Sequence, residues 1–243
     1  MQVKPIKTSL FGAHDDLFSF ITRHVKRFRE NDVFVVTSKI VALSQGCVIK
    51  NSEREKHIQN VSVSTIETPW ATLTLTGEGW CINAGVDESN AQNGCITLPE
   101  KPFGCAHTIL GKLKKMYAVR NLGLIITDTR SVPLRAGTVG RAIGCAGFQP
   151  FKSYVGKKDL YRRKSRVTVS NVADALATSA VIVMGEGSER TPLAIIGDAP
   201  VAFTQKRLST DEMRLFLLPH EDIFTYVYKD ALEKPRARST RKR

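Results

Sequence analysis

Two short apolar runs, each ending in hydroxyl and charged residues, constrain this chain more than any other feature. Asp32-Val-Phe-Val-Val36 leads into Thr37-Ser38-Lys39, and Leu122-Gly-Leu-Ile-Ile126 leads into Thr127-Asp128-Thr129. Their length and β-branched content read as buried strands with polar loops at their carboxyl ends. Around them the periodicity changes. Residues 15–28 read as an amphipathic helix with Leu17, Phe20, Ile21, Val25 and Phe28 on one stripe. Residues 106–118 read as a basic helix with Ile109, Leu110, Leu113 and Met116 inward, and residues 171–184 as a helix capped by Ser170 or Asn171. Residues 67–75 alternate before Gly77 and Gly79 break the chain ahead of Trp80-Cys81-Ile82, and residues 193–196 and 224–228 are strand-like. Strands and helices mix without a regular βαβ period or an internal repeat. The expectation is an α+β fold.

Composition narrows the class. The chain has 243 residues, 42% hydrophobic and 24% charged, which is globular and compatible with one domain or two tightly joined subdomains. No apolar run reaches a membrane span of ~18–20 residues, and the start has no apolar leader, so a soluble, cytoplasmic chain is expected. The net charge is +13, of which residues 234–243 carry six basic residues and no acid. That run reads as a disordered basic tail that either solvates the chain or holds RNA or an anionic surface. The five cysteines are odd in number and form no CxxC pair, and the five histidines show no HxxxH or HExxH. A disulfide framework and a structural zinc site are therefore not expected.

Three polar clusters each follow an apolar run: Asn83-Ala-Gly-Val-Asp87-Glu-Ser-Asn90, Thr127-Asp128-Thr129, and Met184-Gly-Glu186-Gly-Ser-Glu189-Arg-Thr191. Asp87, Asp128 and Glu186, with the Thr129 hydroxyl, are hard oxygen ligands suited to Mg²⁺ or Mn²⁺. Gly185 and Gly187 would let backbone amides approach phosphate oxygens. The physical reading is a metal–nucleotide site; the plainer one is that Asp and Gly cap and turn at element ends. The stretch from Arg135 to Gly147 is neither GxGxxG nor a P-loop. Its Gly140, Gly144 and Gly147 are either close-packing positions or the lining of an anion site beside Arg135 and Arg141. Those two arginines are either binders of a substrate carboxylate or phosphate, or surface residues of a basic protein.

Cys81-Ile-Asn-Ala-Gly-Val-Asp-Glu-Ser-Asn90, Ile125-Ile-Thr-Asp-Thr129, Pro133-Leu-Arg-Ala-Gly-Thr-Val-Gly-Arg-Ala-Ile-Gly144, and Val172-Ala-Asp-Ala-Leu176 through Met184-Gly-Glu-Gly187 occur in one order. In that order the chain resembles the γ-glutamyl ligase family of coenzyme F420 biosynthesis, the CofE family, over most of residues 3–200; Asp32 to Lys39 and Asp159-Leu-Tyr161 also resemble it. The resemblance implies a mixed α+β fold of two intimately associated subdomains over residues 1–233, acting as a homodimer. It implies amide ligation driven by GTP with two divalent ions, Mg²⁺ or Mn²⁺, extending F420-0 with L-glutamate through an acyl phosphate. Under it Asp87 and Asp128 hold the first metal, and Thr129 and Glu186 the second. Ser38, Lys39, Asn90 and the loop Met184, Gly185, Glu186, Gly187, Ser188, Glu189, Arg190 and Thr191 contact GTP, with Val3, Lys4, Pro5 and Ile6 lining the same site. Phosphoryl transfer is mainly positioning and charge neutralisation, so no catalytic Ser, Cys or His is named. On this reading Asp128→Asn and Glu186→Gln abolish turnover and leave folding intact.

Departures from the family pattern fall beside these residues. Leu43 stands where a GTP-contacting lysine is expected, Arg130-Ser-Val132 replaces a Gly-Arg pair, and the region from 46 to 83 is shorter. They raise an altered acceptor as an alternative, with tetrahydrofolate the closest in chemistry. A non-catalytic nucleotide- or nucleic-acid-binding protein is the alternative of another class. No RRM, KH or zinc-knuckle pattern supports it, and aromatic residues are only 7%, thin for base stacking.

Overall fold

The structure is a computed structural model and describes residues 1–13, 15–91, 94–208, 215–224, 226 and 227. In chain order its elements begin with β1 (Gln2–Ile6), α1 (Leu17–His24), β2 (Asp32–Thr37), α2 (Ser38–Ser44), β3 (Val48–Ile49) and α3 (Arg54–Val61). Next come β4 (Ser64–Glu67), β5 (Thr72–Thr76), β6 (Gly79–Ile82), β7 (Cys95–Ile96) and α4 (Pro102–Tyr117). The last are β8 (Leu122–Ser131), β9 (Thr138–Ala146), β10 (Phe151–Ser153), β11 (Val169–Asn171), α5 (Val172–Met184) and β12 (Leu193–Gly197). The fold is mixed α+β. It divides into two compact units, Met1–Cys47 with Pro99–Leu215, and Val48–Leu98 with the described residues from Phe216 onward.

The first unit is built on a five-stranded sheet of order β1-β12-β2-β8-β9. Only β2 and β8 run parallel, in register from Asp32↔Leu122 to Thr37↔Thr127; the other neighbours are antiparallel. Successive side chains of a strand point to opposite faces. On one face Val33, Val35, Ile125, Ala194 and Ile196 pack with Ala173, Leu176, Ala177 and Ala180 of α5. On the other, Phe34 meets Phe28 edge-on (5.2 Å between centroids), and Phe28 meets Tyr117 of α4 (4.8 Å). Both central strands are covered on both faces, which is why they read as continuous apolar runs.

One irregularity positions the site. Ile126 pairs with Gly144 but Thr127 with Ala142, so β9 carries an extra residue, Ile143, as a β-bulge. The bulge reverses which residues of β9 face α5. Before it, a Cβ on Gly140 would lie 2.7 Å from Val181 Cγ2 of α5; after it, a Cβ on Gly144 would lie 2.6 Å from the Pro102 carbonyl oxygen of α4. These glycines are close-packing positions, which decides between the two readings of the Arg135–Gly147 stretch in favour of packing.

The second unit holds the antiparallel sheet β4-β5-β6 and the short pair β3 and β7. Its core joins Ile58 of α3 to Ala84, Val86 and Cys95, with Ile49 against them.

Several local expectations need correction. The first helix ends at His24, because Val25 is extended and its carbonyl accepts a hydrogen bond from Tyr117 Oη (2.6 Å); the apolar stripe is nonetheless buried. Neither polar segment is a loop: the one after β2 starts α2, and Thr127-Asp128-Thr129 continue β8, which runs to Ser131 because β9 pairs with it that far. Met116 is 53% exposed, since the buried stripe of α4 runs through Ala106, Ile109, Leu110 and Leu113. A turn, in which Thr68 N–H donates to the Ala71 carbonyl (3.2 Å), separates β4 from β5 inside the alternating run. Within residues 224–228 the described positions are not strand: Val227 N–H donates to the Phe224 carbonyl (2.9 Å), and Tyr226 and Val227 are exposed. Tyr228 and the basic tail at 234–243 lie outside the described residues. Among the described residues no helix is long and apolar enough to cross a membrane.

Candidate active site

The parallel pairing of β2 and β8 ends with Thr37 beside Thr127, where β2 stops and β8 runs on to Ser131. The next residues are Ser38 and Asp128. Ser38 Oγ donates to Asp128 Oδ1 (3.4 Å), and Arg141 Nη2 lies 3.1 Å from Asp128 Oδ2. Arg141 is directly opposite Asp128 in the antiparallel ladder, so both side chains leave the sheet on one face. Its side chain is 2% exposed against 23% for Asp128. The reading of Arg141 as a surface arginine is therefore set aside: it is the buried counter-charge of Asp128. Arg135 is exposed, in a turn where its N–H donates to the Val132 carbonyl (3.1 Å).

Strand alternation sends Thr129 to the other face from Asp128. Its ladder partner is Gly140, the glycine closed against α5. Glu186 is exposed on the loop that follows the same helix. The two pairs expected from the family thus divide by face in this unit, Asp128 on one side and Thr129 with the α5 terminus on the other.

Several segments expected to line the nucleotide converge on this edge of the sheet. Ile6 pairs with Leu193, and Leu193 with Val36, across β1, β12 and β2. Thr37 N–H donates to the Pro192 carbonyl (3.0 Å), and Thr8 N–H to the Arg190 carbonyl (2.9 Å). Ser38, Lys39, the Ile6 end of β1 and the 184–191 loop are therefore held together by backbone bonds, while Val3 pairs with Ile196 and so lies level with Val33 at the other end of β2, with Lys4 and Pro5 between. Within the loop, Thr191 Oγ1 donates to the Met184 carbonyl, and Gly187 N–H donates to Glu189 Oε2 (2.8 Å). Gly185 has φ +79°, and a Cβ there would fall 2.4 Å from the Glu189 carboxyl carbon. Only glycine fits that turn.

Asp87 and Asn90 belong to the second unit. Asp87 exchanges backbone hydrogen bonds with Ile96 (2.9 and 2.8 Å), while its Oδ1 accepts from Ser89 N–H (2.7 Å). Just before it, Asn83–Gly85 form a short helical turn in which all three residues have positive φ, at 51°, 54° and 73°. For the asparagine and the alanine this is a strained conformation, of the sort that concentrates at functional sites. Thr72 N–H to Asn83 Oδ1 (3.2 Å) and Ala84 N–H to Thr74 Oγ1 (2.8 Å) hold it. Sequence reasoning named Asp87 but not this turn, for which only Gly85 gave a signal.

Asp174 is a residue that sequence reasoning passed over. It accepts from Ala142 N–H at the bulge (2.9 Å) and from Asn171 Nδ2 (3.0 Å), and lies 3.6 Å from Arg130. Asn171 Oδ1 in turn accepts from Asp174 N–H (3.0 Å), identifying Asn171 rather than Ser170 as the cap of α5. The signal was the Asn-x-x-Asp spacing at the start of a helix.

Among the described residues no group of three His, Cys, Asp or Glu side chains forms a ready metal cage. The donors expected here are carboxylate and hydroxyl oxygens, and Asp128 already faces a cation in Arg141. That set fits Mg²⁺ or Mn²⁺, which take one or two carboxylates and complete their shell with water and substrate phosphates.

A mixed α+β protein with carboxylate, hydroxyl and backbone amide groups gathered on one edge of its sheet is suited to handling phosphates. Comparison with known families supplies the particular group: residues 62–198 match the family model described as F420-0:Gamma-glutamyl ligase. The coenzyme F420:L-glutamate ligase of Archaeoglobus fulgidus is 33% identical over 224 residues, covering 83% of this chain and 89% of the relative. Those of Methanothermobacter thermautotrophicus (33%, covering 79% and 86%) and Methanosarcina barkeri (31%, covering 77% and 81%) are similar. The chain belongs to the F420-0:gamma-glutamyl ligase family and is a ligase, as the motif resemblance implied.

Proposed function

We propose that this ligase adds L-glutamate to the carboxylate of F420-0, the acceptor named in its family, at the expense of GTP. The observation that carries the reading is the convergence of Asp128, Ser38, the β1 strand and the 184–191 loop on one sheet edge. The acceptor carboxylate attacks the γ-phosphorus of GTP, the bond to GDP breaks, and an acyl phosphate forms. The α-amine of glutamate then attacks the acyl carbon, phosphate leaves, and the amine gives up a proton as the amide closes.

The chain's own residues position these groups. Asp128 and Asp87 would hold one divalent ion, and Thr129 and Glu186 a second. When bound, the ions neutralise charge on the transferred phosphoryl group. Arg141 keeps the Asp128 carboxylate fixed in orientation by a charge-assisted bond. Backbone amides of the glycine-bearing 184–191 loop, with Ser38, Lys39, Asn90 and the β1 residues, would seat the nucleotide. Arg135, exposed in its turn, is available to a substrate carboxylate or phosphate.

The same reading takes residues 1–233 as the ligase domain with 234–243 as an appended basic tail, and places the enzyme in the cytoplasm as a homodimer. Light scattering tests the dimer. The function is tested by mass spectrometry: protein, GTP, Mg²⁺ with Mn²⁺, and L-glutamate are offered F420-0 and tetrahydrofolate separately. An adduct of one glutamate on F420-0 that is lost in Glu186→Gln is the expected result. An adduct on tetrahydrofolate alone would replace the acceptor, and an adduct formed equally well by Glu186→Gln would remove the metal assignment.

A further inference from the structure

The net charge of +13 is not spread over the molecule. Residues 152–166 carry Lys152, Lys157, Lys158, Arg162, Arg163, Lys164 and Arg166 against the single acid Asp159, and residues 234–243 carry six basic residues and no acid. Together they account for +12, leaving the remainder of the chain near neutrality. None of the residues proposed above to hold GTP or the metals lies in either segment.

The first of these segments is an ordered arm. β10 and β11 pair from Phe151↔Asn171 to Ser153↔Val169. The ladder continues outward through Tyr154 N–H to the Thr168 carbonyl (2.9 Å) and Gly156 N–H to the Ser165 carbonyl (2.9 Å). The tip is closed by Asp159, whose Oδ1 accepts from the N–H groups of Tyr161 and Arg163 (2.8 Å each). All seven basic side chains are exposed. Of these seven, Arg163 is ion-paired within the described residues, with Asp159 at 3.1 Å.

Two features of the arm favour a polyanionic partner, beside the internal contacts of Lys152 and Lys157 with the Tyr154 ring (5.5 and 5.4 Å). Lys158 and Lys164 stand directly opposite each other as a bridged pair, where like charges repel. The tip also presents Leu160 at 97% and Tyr161 at 79% exposure, with the Arg163 guanidinium 5.4 Å from the centroid of the tyrosine ring. A polyanion lying along the ribbon would relieve the repulsion, and flat rings could extend the Tyr161–Arg163 pair. Phosphodiester groups with bases supply both: cations track the backbone, and aromatic and guanidinium planes stack with bases. An acidic peptide supplies only the first.

We propose that the arm spanning residues 151–171 is a nucleic-acid-binding element, engaging the phosphodiester backbone without sequence preference and separately from the ligation site. The test uses the full chain and a fluorescein-labelled 20-nucleotide poly(U) RNA, followed by anisotropy across a salt series, with single-stranded and duplex DNA as further arms to separate the sources of phosphodiester. Neutralising Lys157, Lys158, Lys164 and Arg166 together (each →Gln) should weaken RNA binding at least about tenfold at low salt. It should also flatten the slope of log K against log salt by about 2 to 3, from ~0.7 per phosphate contact. The charge-keeping set (Lys→Arg at 157, 158 and 164, Arg166→Lys) should restore both, which separates loss of charge from loss of fold. Glutamate ligation should be unchanged in either set.

Four results would overturn the proposal. One is the absence of RNA and DNA binding by the parent chain at low salt. Another is unchanged affinity and slope in the neutralised variant, with binding lost only on removal of residues 234–243. A third is displacement of RNA by a ten-residue γ-glutamyl peptide at equal charge, which would assign the arm to an acidic chain. The fourth is arm-dependent sedimentation with phosphatidylserine vesicles in place of RNA binding, which would assign it to a membrane surface.

Discussion

Asp128 and Arg141 face each other across β8 and β9, carboxylate to guanidinium at 3.1 Å, with the arginine almost wholly out of water. The carboxylate proposed to hold a metal is also the partner of a buried cation, so a substitution at Asp128 is expected to act on the fold as well as on the chemistry.

Asp128→Asn should therefore destabilise the protein and not only silence it. The buried guanidinium loses its counter-charge, at a cost of about 2 kcal/mol once the partial exposure of Asp128 is discounted. Urea unfolding measures it, and an unchanged midpoint would mean that Arg141 has found another partner. Glu186→Gln, on an exposed loop, should leave stability within about 0.5 kcal/mol while abolishing turnover. The expectation that both variants fold intact thus holds for Glu186 only.

Gly144→Ala should be among the more damaging single-methyl additions in the chain. The new Cβ would sit 2.6 Å from the Pro102 carbonyl oxygen, which is backbone and cannot turn aside. A loss of about 2 kcal/mol is expected by chemical denaturation. Gly111→Ala, in the same α4 and with nothing within 4 Å of the added carbon, is the matched control and should cost nothing.

His107 should make the fold sensitive to mild acid. Burial, and secondarily Arg207, holds its imidazole below the ordinary value of 6.5. The unfolded chain then takes up the proton first, so stability falls as pH drops below 6.5 and the loss is complete below the folded value. Thermal unfolding between pH 8 and pH 5 should show this slope, and His107→Gln should flatten it.

Cys145 should be inert in the native protein. Burial pushes its thiol up to about 12, and the side chain is 1% exposed. Iodoacetamide at pH 8 should modify half-buried Cys47 while sparing Cys145, as read by peptide mass spectrometry. Modification of Cys145 without denaturant would show that β9 opens locally.

The sequence was most legible where one physical term dominated. The runs of β2 and β8 are buried on both faces, and α5 follows a capping asparagine, so β2, α5 and the start of β8 are legible, while the polar half of β8 from Thr127 to Ser131 is not. Legibility failed where tertiary contacts overrode local pattern. Ser38 looked like loop because polar residues follow a strand, yet the chain turns at once into α2. The left-handed turn at Asn83–Gly85 carries no signal in Asn or Ala, being held by hydrogen bonds from Thr72 and Thr74 of the neighbouring strand. Of the site, residue types were legible and their grouping was not. That Arg141 is buried against Asp128 depends on β9 pairing with β8 one residue out of simple register, which no local pattern encodes.

That offset has a consequence for how the strand can change over time. A continuous β9 would tie the phase of its outer half to that of its packed half, so any shift made to suit a substrate would rotate core residues toward the wrong layer. Ile143 interrupts the tie. Gly144 and Cys145 answer to the packing of α4 and α5, while Arg141 answers to Asp128, and the bulge acts as a phase shifter between two selective pressures on one strand. Were Ile143 instead to pair with Thr127 in an unbroken ladder, Arg141 would fall opposite Thr129 and turn toward α5, leaving Asp128 without the cation that holds it.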